Sequence, residues 1–187
     1  QVVLAAGLNP PTHHLAANGG LLWHPQARMD LVRAGIGLYG LSPDPSVATG
    51  AELGLRPAMR LESPLVQVKR IEAGQAVSYG GTWSAPTDRW VGLVPLGYSD
   101  GIPRAASSAG PVGVGSLMTS VVGRVCMDQV VIDLGPAVDE TGAPLPAPAR
   151  VGDTAVLWGA PQASGQEAVP TADDWAQACG TINYDIV

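Results

Sequence analysis

The chain has 187 residues, 46% of them hydrophobic and 14% charged. That is enough apolar material to bury roughly 70% of the unfolded surface in one domain, or one domain plus part of another, and too little charge for a disordered protein. The net charge of −6 comes from 16 acidic and 10 basic residues with no basic run, so nucleic-acid binding has no support. No apolar stretch approaches the roughly 20 residues of a spanning helix. Gln1 is followed by Val2, Val3 and Leu4 without a charged leader, which reads as a cytoplasmic chain with no membrane or targeting segment. Cys126 and Cys179 stand outside any Cys-x-x-Cys or Cys/His cluster, which predicts free thiols and no metal site.

The 24 glycines and 17 prolines follow no period and predict frequent turns between short, mainly β elements. Residues 2–8 are a short apolar run, followed by a turn at Asn9, Pro10 and Pro11 and a small-residue stretch at 14–20. Leu21, Leu22, Met29, Leu31 and Val32, interrupted by Pro25, predict a short helix and then the start of a strand. Residues 35–40 add an apolar, glycine-flanked run. This alternation looks like the end of a parallel α/β unit, too short to stand alone. After a Pro/Gly/Ser-rich connector at 41–57, strands are predicted over 58–71, 90–96, 120–125, 129–134 and 154–157, a pattern of a β-barrel or sandwich. Residues 135–148, with four prolines, predict a surface loop. Thr171 with Asp174 three residues later is a capping-box variant, Trp175 and Ala178 supply an apolar stripe, and Gly180 stops the helix. A last strand is expected over 182–187. Both ends read as cuts within a longer protein.

Four runs combine polar residues and glycine beside apolar strands. Arg33 to Gly40 carries an arginine and a Gly-x-Gly whose amides can hold a phosphate or simply pack tightly. Tyr79, in the run Ser78, Tyr79, Gly80, Gly81, is one of four tyrosines in a chain without phenylalanine. A phenol titrates near 10 and serves as a base only beside cations or strong donors; the alternative is a rim tyrosine closing a turn. Tyr98 precedes an acidic turn in which Asp100 can bond its own backbone. Arg124 and Asp128 fall on one side of an expected strand around Cys126, where they can form an ion pair. Lys69, the single lysine, alternates with Val66 and Val68 and is expected on the solvent face of a half-buried strand.

These runs, in this order and followed by Ile182, Asn183 and Tyr184, closely resemble the C-terminal half of alanine racemase, a fold-type III pyridoxal 5'-phosphate enzyme. The resemblance implies a mainly β fold. Residues 1–42 would be the last β/α elements of an incomplete N-terminal (β/α)8 barrel, and residues 43–187 the C-terminal β-domain. It implies a two-base interconversion of L- and D-alanine that supplies D-alanine for peptidoglycan, in a homodimer whose active site is shared. Tyr79 matches the catalytic tyrosine acting on the L-alanine face and reaching the partner's site. Arg33 matches the arginine on the pyridine nitrogen. An arginine there leaves the ring unprotonated, a weaker electron sink, and favours reprotonation at Cα over transamination. Gly35 and Ile36 match backbone phosphate contacts and Tyr184 a phosphate-binding tyrosine. Asn18 falls where the family has a phosphate-binding serine. Met127 matches a residue near the substrate carboxylate, Tyr98 a tyrosine narrowing the substrate entrance, and His14 a histidine beside the pyridine arginine. The cofactor-anchoring lysine belongs upstream of these residues, so the isolated chain is expected to be inactive. A racemase of the same fold acting on serine or lysine, and a non-catalytic β-domain that dimerises, are the alternatives.

Overall fold

The computed structural model describes residues 5–8, 10–160 and 165–187; the start of the first apolar run and Asn9 of its turn lie outside them. The chain divides into two compact units, Gln1–Ala58 and Met59–Val187.

In the first unit, helix α1 (Asn18–Trp23) is short because Pro25, with no N–H to donate, opens a 3₁₀ turn immediately after it. The Arg28 guanidinium donates to the Leu21 carbonyl at 2.8 Å and satisfies one acceptor of that helix end. Residues 13–16 and 30–33 run parallel. Asp30 N–H donates to the His13 carbonyl at 3.1 Å, His14 bridges Leu31, and Arg33 N–H donates to the Ala16 carbonyl at 2.9 Å. Helix α1 is thus the crossover of a minimal parallel unit. The apolar run after Arg33 turns as a 3₁₀ segment, Ile36–Tyr39, and ends at Gly40 with φ +77°, where a Cβ would collide with the Arg56 carbonyl.

The second unit is an antiparallel sheet in the order β1-β9-β6-β7-β8-β5-β2. The strands are β1 (Leu61–Pro64), β2 (Gln67–Ile71), β5 (Arg89–Val94), β6 (Pro111–Val114), β7 (Leu117–Val122), β8 (Val130–Pro136) and β9 (Thr154–Trp158). The two end strands are consecutive halves of one run. At their junction Leu65 exchanges hydrogen bonds with residues 152 and 153 ahead of β9, while Val66 N–H donates to Leu93 of β5. The hydrogen-bonding circuit therefore curls round on itself, which leaves little free edge. Inward positions alternate as the pleat requires: Val130, Ile132 and Leu134 of β8 are buried. Each such side chain contributes about 1.5–3 kcal/mol of burial.

A hairpin of β3 (Ala76–Val77) and β4 (Trp83–Ser84) rises between β2 and β5. Helix α2 (Ala172–Cys179) carries the expected cap: Thr171 Oγ1 accepts from Asp174 N–H at 3.1 Å, and Gly180 ends it with φ +67°. Trp175, fully buried, meets Trp158 of β9 edge-to-face, with ring centroids 5.3 Å apart. Both cysteines are free; Cys126 is buried, and partial burial pushes the Cys179 thiol up.

Three local expectations are corrected. Residues 182–187 form a 3₁₀ turn, Asn183–Asp185, in place of a strand, because the buried Asn183 amide donates to Asp173 at 2.7 Å and folds the segment back onto α2. Residues 124–128 are outside any strand, and no ion pair joins Arg124 to Asp128. Gly123, at φ +73°, ends β7, and the Asp128 carboxylate accepts from the Ser99 hydroxyl at 3.0 Å. Lys69 is exposed as expected, but Val66 is 49% exposed, since it sits at the junction where the run passes from β9 to β5.

Candidate active site

In the first unit three of the predicted groups come together through one side chain. Asn18 is buried, and its Oδ1 accepts from Gly35 N–H at 2.9 Å and from Gly37 N–H at 3.2 Å. A Cβ on Gly35 would lie 2.8 Å from Asn18 Nδ2, and one on Gly37 3.3 Å from Oδ1. A side chain at either position would press on the amide, most at Gly35. Ile36 is buried between them. The result is a small cradle of main-chain N–H groups at the start of a 3₁₀ turn, a local concentration of donors. Two residues upstream, the Arg33 guanidinium lies 2.6 Å from His14 Nδ1. Arginine can only donate, so His14 presents its Nδ1 lone pair and keeps its proton on Nε2. The neighbouring Asp30 carboxyl is held low by the His13 backbone N–H.

In the second unit the segment 123–129 is the hub. Its first residues hold the Tyr79 turn. A Cβ on Gly123 would lie 3.0 Å from Ser78 Cβ, Ser78 Oγ and the Val77 carbonyl. The Arg124 guanidinium stands 3.3 Å from where a Cβ on Gly80 would be. Its later residues hold the Tyr98 loop: Tyr98 N–H donates to the Cys126 carbonyl at 3.0 Å, and Ser99 N–H and Oγ both donate to the Met127 carbonyl at 2.9 Å. Gly97 sits so close that a Cβ there would collide with both carbonyls. Two loops bearing tyrosines, 19 residues apart in sequence, are therefore brought to one strip of chain together with Met127.

Tyr79 is 72% exposed, Met127 54% and Tyr98 45%, so all three present side chains outward from this strip. The guanidinium of Arg104 lies over the Tyr98 ring, 5.8 Å from its centroid. Arg104 and Arg124 bring guanidinium donors to the two loops, chemistry that suits a bound carboxylate. Neither arginine was assigned a role at this face from the sequence. Arg104 lies six residues beyond Tyr98 with no regular element linking them, and the alternation that pairs Arg124 with Asp128 requires a strand, whereas β7 ends at Val122. Tyr184 stands in the turn after α2, exposed, with its neighbour Asn183 anchored to Asp173. Among the described residues no helix is long and apolar enough to cross a membrane, and no group of three His, Cys, Asp or Glu side chains could hold a metal ion.

Residues 58–187 match the family model "Alanine racemase, C-terminal domain", and residues 1–43 match "Alanine racemase, N-terminal domain". An alanine racemase of Salinispora arenicola is 47% identical over 187 residues, all of this chain and 45% of the relative. One from Streptomyces coelicolor is 48% identical over 181 residues, 97% of this chain and 43% of the relative. Among solved structures, alanine racemase from D-cycloserine-producing Streptomyces lavendulae superposes with a TM-score of 0.85 at 43% identity, over 99% of this chain and 45% of that one. Alanine racemase from Bacillus anthracis with bound L-Ala-P does so with a TM-score of 0.80 at 30% identity, over 98% and 44%. The chain spans a little under half the length of the relatives it matches.

Proposed function

Because the chain belongs to the alanine racemase family, we propose that it forms part of an enzyme that interconverts L- and D-alanine and so provides D-alanine for peptidoglycan, with Tyr79 as the base on the L-alanine face. The observation that carries this reading is the Tyr79 turn itself: an exposed phenol, held by the 123–129 strip, in a turn that the Arg124 guanidinium flanks. In this reading residues 1–42 end a (β/α)8 barrel, and residues 43–187 are the β-domain of a cytoplasmic homodimer in which Tyr79 serves the partner's site. The exposure of Tyr79 within one chain is what such a role requires.

The residues of the first unit fit pyridoxal 5'-phosphate. A glycine-flanked turn of main-chain N–H groups, closed by the Asn18 amide and set beside an arginine, is donor chemistry for a phosphate and a pyridine nitrogen. Ile36 would hold the phosphate through its amide, with Gly35, whose N–H is taken by Asn18, leaving room for the phosphate to approach, and Arg33 would donate to the pyridine nitrogen with its guanidinium steadied by His14. Asn18 would set the loop by taking the amides of Gly35 and Gly37. Tyr184 joins the phosphate ligands by its place in the family pattern. The cofactor, when bound, supplies an electron sink that acidifies the substrate's α-C–H. This chain's own contribution is to move the proton at Cα. The Tyr79 oxygen takes it from L-alanine and returns it in the reverse direction, while Met127 lies near the substrate carboxylate and Tyr98 limits side-chain size at the entrance.

A direct test joins these 187 residues to the N-terminal portion of the Streptomyces coelicolor relative and measures racemisation with the cofactor present. Tyr79→Phe is expected to lower kcat for L-alanine by about 10²–10⁴-fold, the usual contribution of a positioned base. A variant as active as its parent would remove Tyr79 from the mechanism. The 187 residues alone are expected to be inactive.

A further inference from the structure

Ser78, the residue before Tyr79, has φ +59° and ψ 179°. That combination is occupied almost only by glycine, because a Cβ is crowded there. The strain is not relieved by bonding: Ser78 Oγ is buried and has no hydrogen-bond partner among the described residues. Packing holds it instead. Gly123, itself at φ +73°, lies against the turn so closely that its own Cβ would come within 3.0 Å of Ser78 Cβ and Oγ and of the Val77 carbonyl. Gly123 is tethered from behind. Its N–H donates to Ser108 Oγ at 3.0 Å and its carbonyl accepts from Ser108 N–H at 3.0 Å. On the other side of the turn Gly81, at φ +53°, closes on Ala76, where a Cβ at 81 would lie 3.2 Å from the Ala76 Cβ.

We propose that Ser78 and Gly123 are positioning residues for Tyr79: the serine's Cβ, packed against the tethered glycine, fixes the peptide before Tyr79 and so the direction in which the phenol leaves the turn. This deepens the reading of Tyr79 as a base and rests on it. Neither residue touches the reacting atoms. The serine acts through its Cβ and backbone, and its hydroxyl contributes nothing, as its missing partner indicates.

The test uses the joined holoenzyme described above. Gly123→Ala forces the turn to move and is expected to lower kcat by about tenfold to a hundredfold, the scale of a misplacement of about 1 Å, with little change in KM. It should raise the α-deuterium isotope effect with L-alanine and lower it with D-alanine, whose α-proton leaves on the other face. Gly115→Ala is the control for strain alone: Gly115 has φ +56° with nothing within 4 Å of an added Cβ. It should lose stability and leave both isotope effects as they are. Ser78→Gly removes the wedge and the strain together. It should raise the unfolding midpoint while lowering kcat severalfold, and the double variant Ser78→Gly with Gly123→Ala should be less impaired than Gly123→Ala, the crowding against the Val77 carbonyl remaining. Ser78→Ala keeps the Cβ and should stay nearer the parent than Ser78→Gly.

Isotope effects in Gly123→Ala equal to those of the parent, or a loss the double variant does not lessen, would overturn the proposal. So would a Ser78→Ala variant as impaired as Ser78→Gly. Tyr79→Phe, measured beside them, separates the two readings. If it abolishes turnover while Gly123→Ala is silent, only the positioning fails; if it is itself silent, the assignment of the base fails. Should Gly123→Ala not fold, Ser78→Gly adds no atom and still decides.

Discussion

Two loops carrying tyrosines dock on the same strip, 123–129, by opposite means. The Tyr98 loop is held by bonds. Asp100 Oδ2 accepts from Gly97 N–H at 2.9 Å, and the loop's amides and the Ser99 hydroxyl reach the carbonyls of Cys126 and Met127. Its one positive-φ residue is Gly101, at +96°. The Tyr79 loop is held by shape: it has a serine in a glycine-only conformation, two glycines at positive φ and a buried hydroxyl without a partner among the described residues. A hydrogen-bonded loop tolerates small displacements, since bonds stretch and water can substitute. A loop wedged by close contacts has one position or none. The second kind suits a group that must meet a carbon-bound proton, and the first suits an entrance.

The contrast breaks most clearly at the glycines. Gly97→Ala puts a methyl into two backbone carbonyls that have no flexible end to yield, so the Tyr98 loop must lift from the strip. A destabilisation of about 3 kcal/mol is expected, at the upper end for overpacking, read as a shift in urea midpoint at constant m. At the other loop, the methyl of Gly80→Ala meets only the end of the Arg124 side chain, which can swing away. The remaining cost is the left-handed backbone, about 1–2 kcal/mol. If Gly80→Ala costs more than Gly97→Ala, the assignment of which loop sits on rigid backbone is reversed. Asp100→Ala removes a single cap bond and should cost about 1 kcal/mol, with Tyr98 remaining near Met127. A loss as large as that of Gly97→Ala would mean that the cap, and not the docking, builds the loop.

The sequence carried the parts of this comparison better than their meeting. Alternation located β2, β5, β7, β8 and β9 to within a few residues, since period-2 burial is a local property. The Thr171–Asp174 box and Gly180 located α2 for the same reason. The strand Pro111–Val114 and the two-residue strands of the hairpin gave no readable period, being too short or broken by glycine and proline. The strand expected after Gly180 failed because a single buried asparagine overrides the β-branched residues around it. The runs containing Tyr79, Tyr98 and Met127 were visible one by one. Their convergence was not, because it depends on contacts between residues 28 to 46 apart that only the folded sheet brings together. The strained φ of Ser78 leaves no mark in the sequence beyond the glycines around it.

The base of the Tyr79 hairpin offers the smallest and most specific test. Asp88 joins its two ends: Oδ2 accepts from the Arg70 guanidinium at 2.5 Å and Oδ1 from Ala73 N–H at 2.9 Å. Chiefly through the Arg70 bond, and then the Ala73 N–H, its carboxyl is held below the usual carboxylate range. A carboxyl lowered in the folded state adds stability that is fully present above its unfolded pKa, about 3.9, and is lost as pH falls through the folded value. Asp88→Asn should therefore be less stable than the parent at pH 7, by an amount that shrinks as the pH is taken below about 4, where the parent also loses the charge. Other carboxylates titrate in the same range, so the informative quantity is the difference in urea midpoint between the two proteins. The Tyr98 loop, whose docking bonds are chiefly to backbone carbonyls, should keep its protection from amide exchange over that range while the 73–85 segment loses it. A difference constant from pH 7 to pH 3, or equal loss in both loops, would show that the hairpin's base does not depend on the ionised carboxylate.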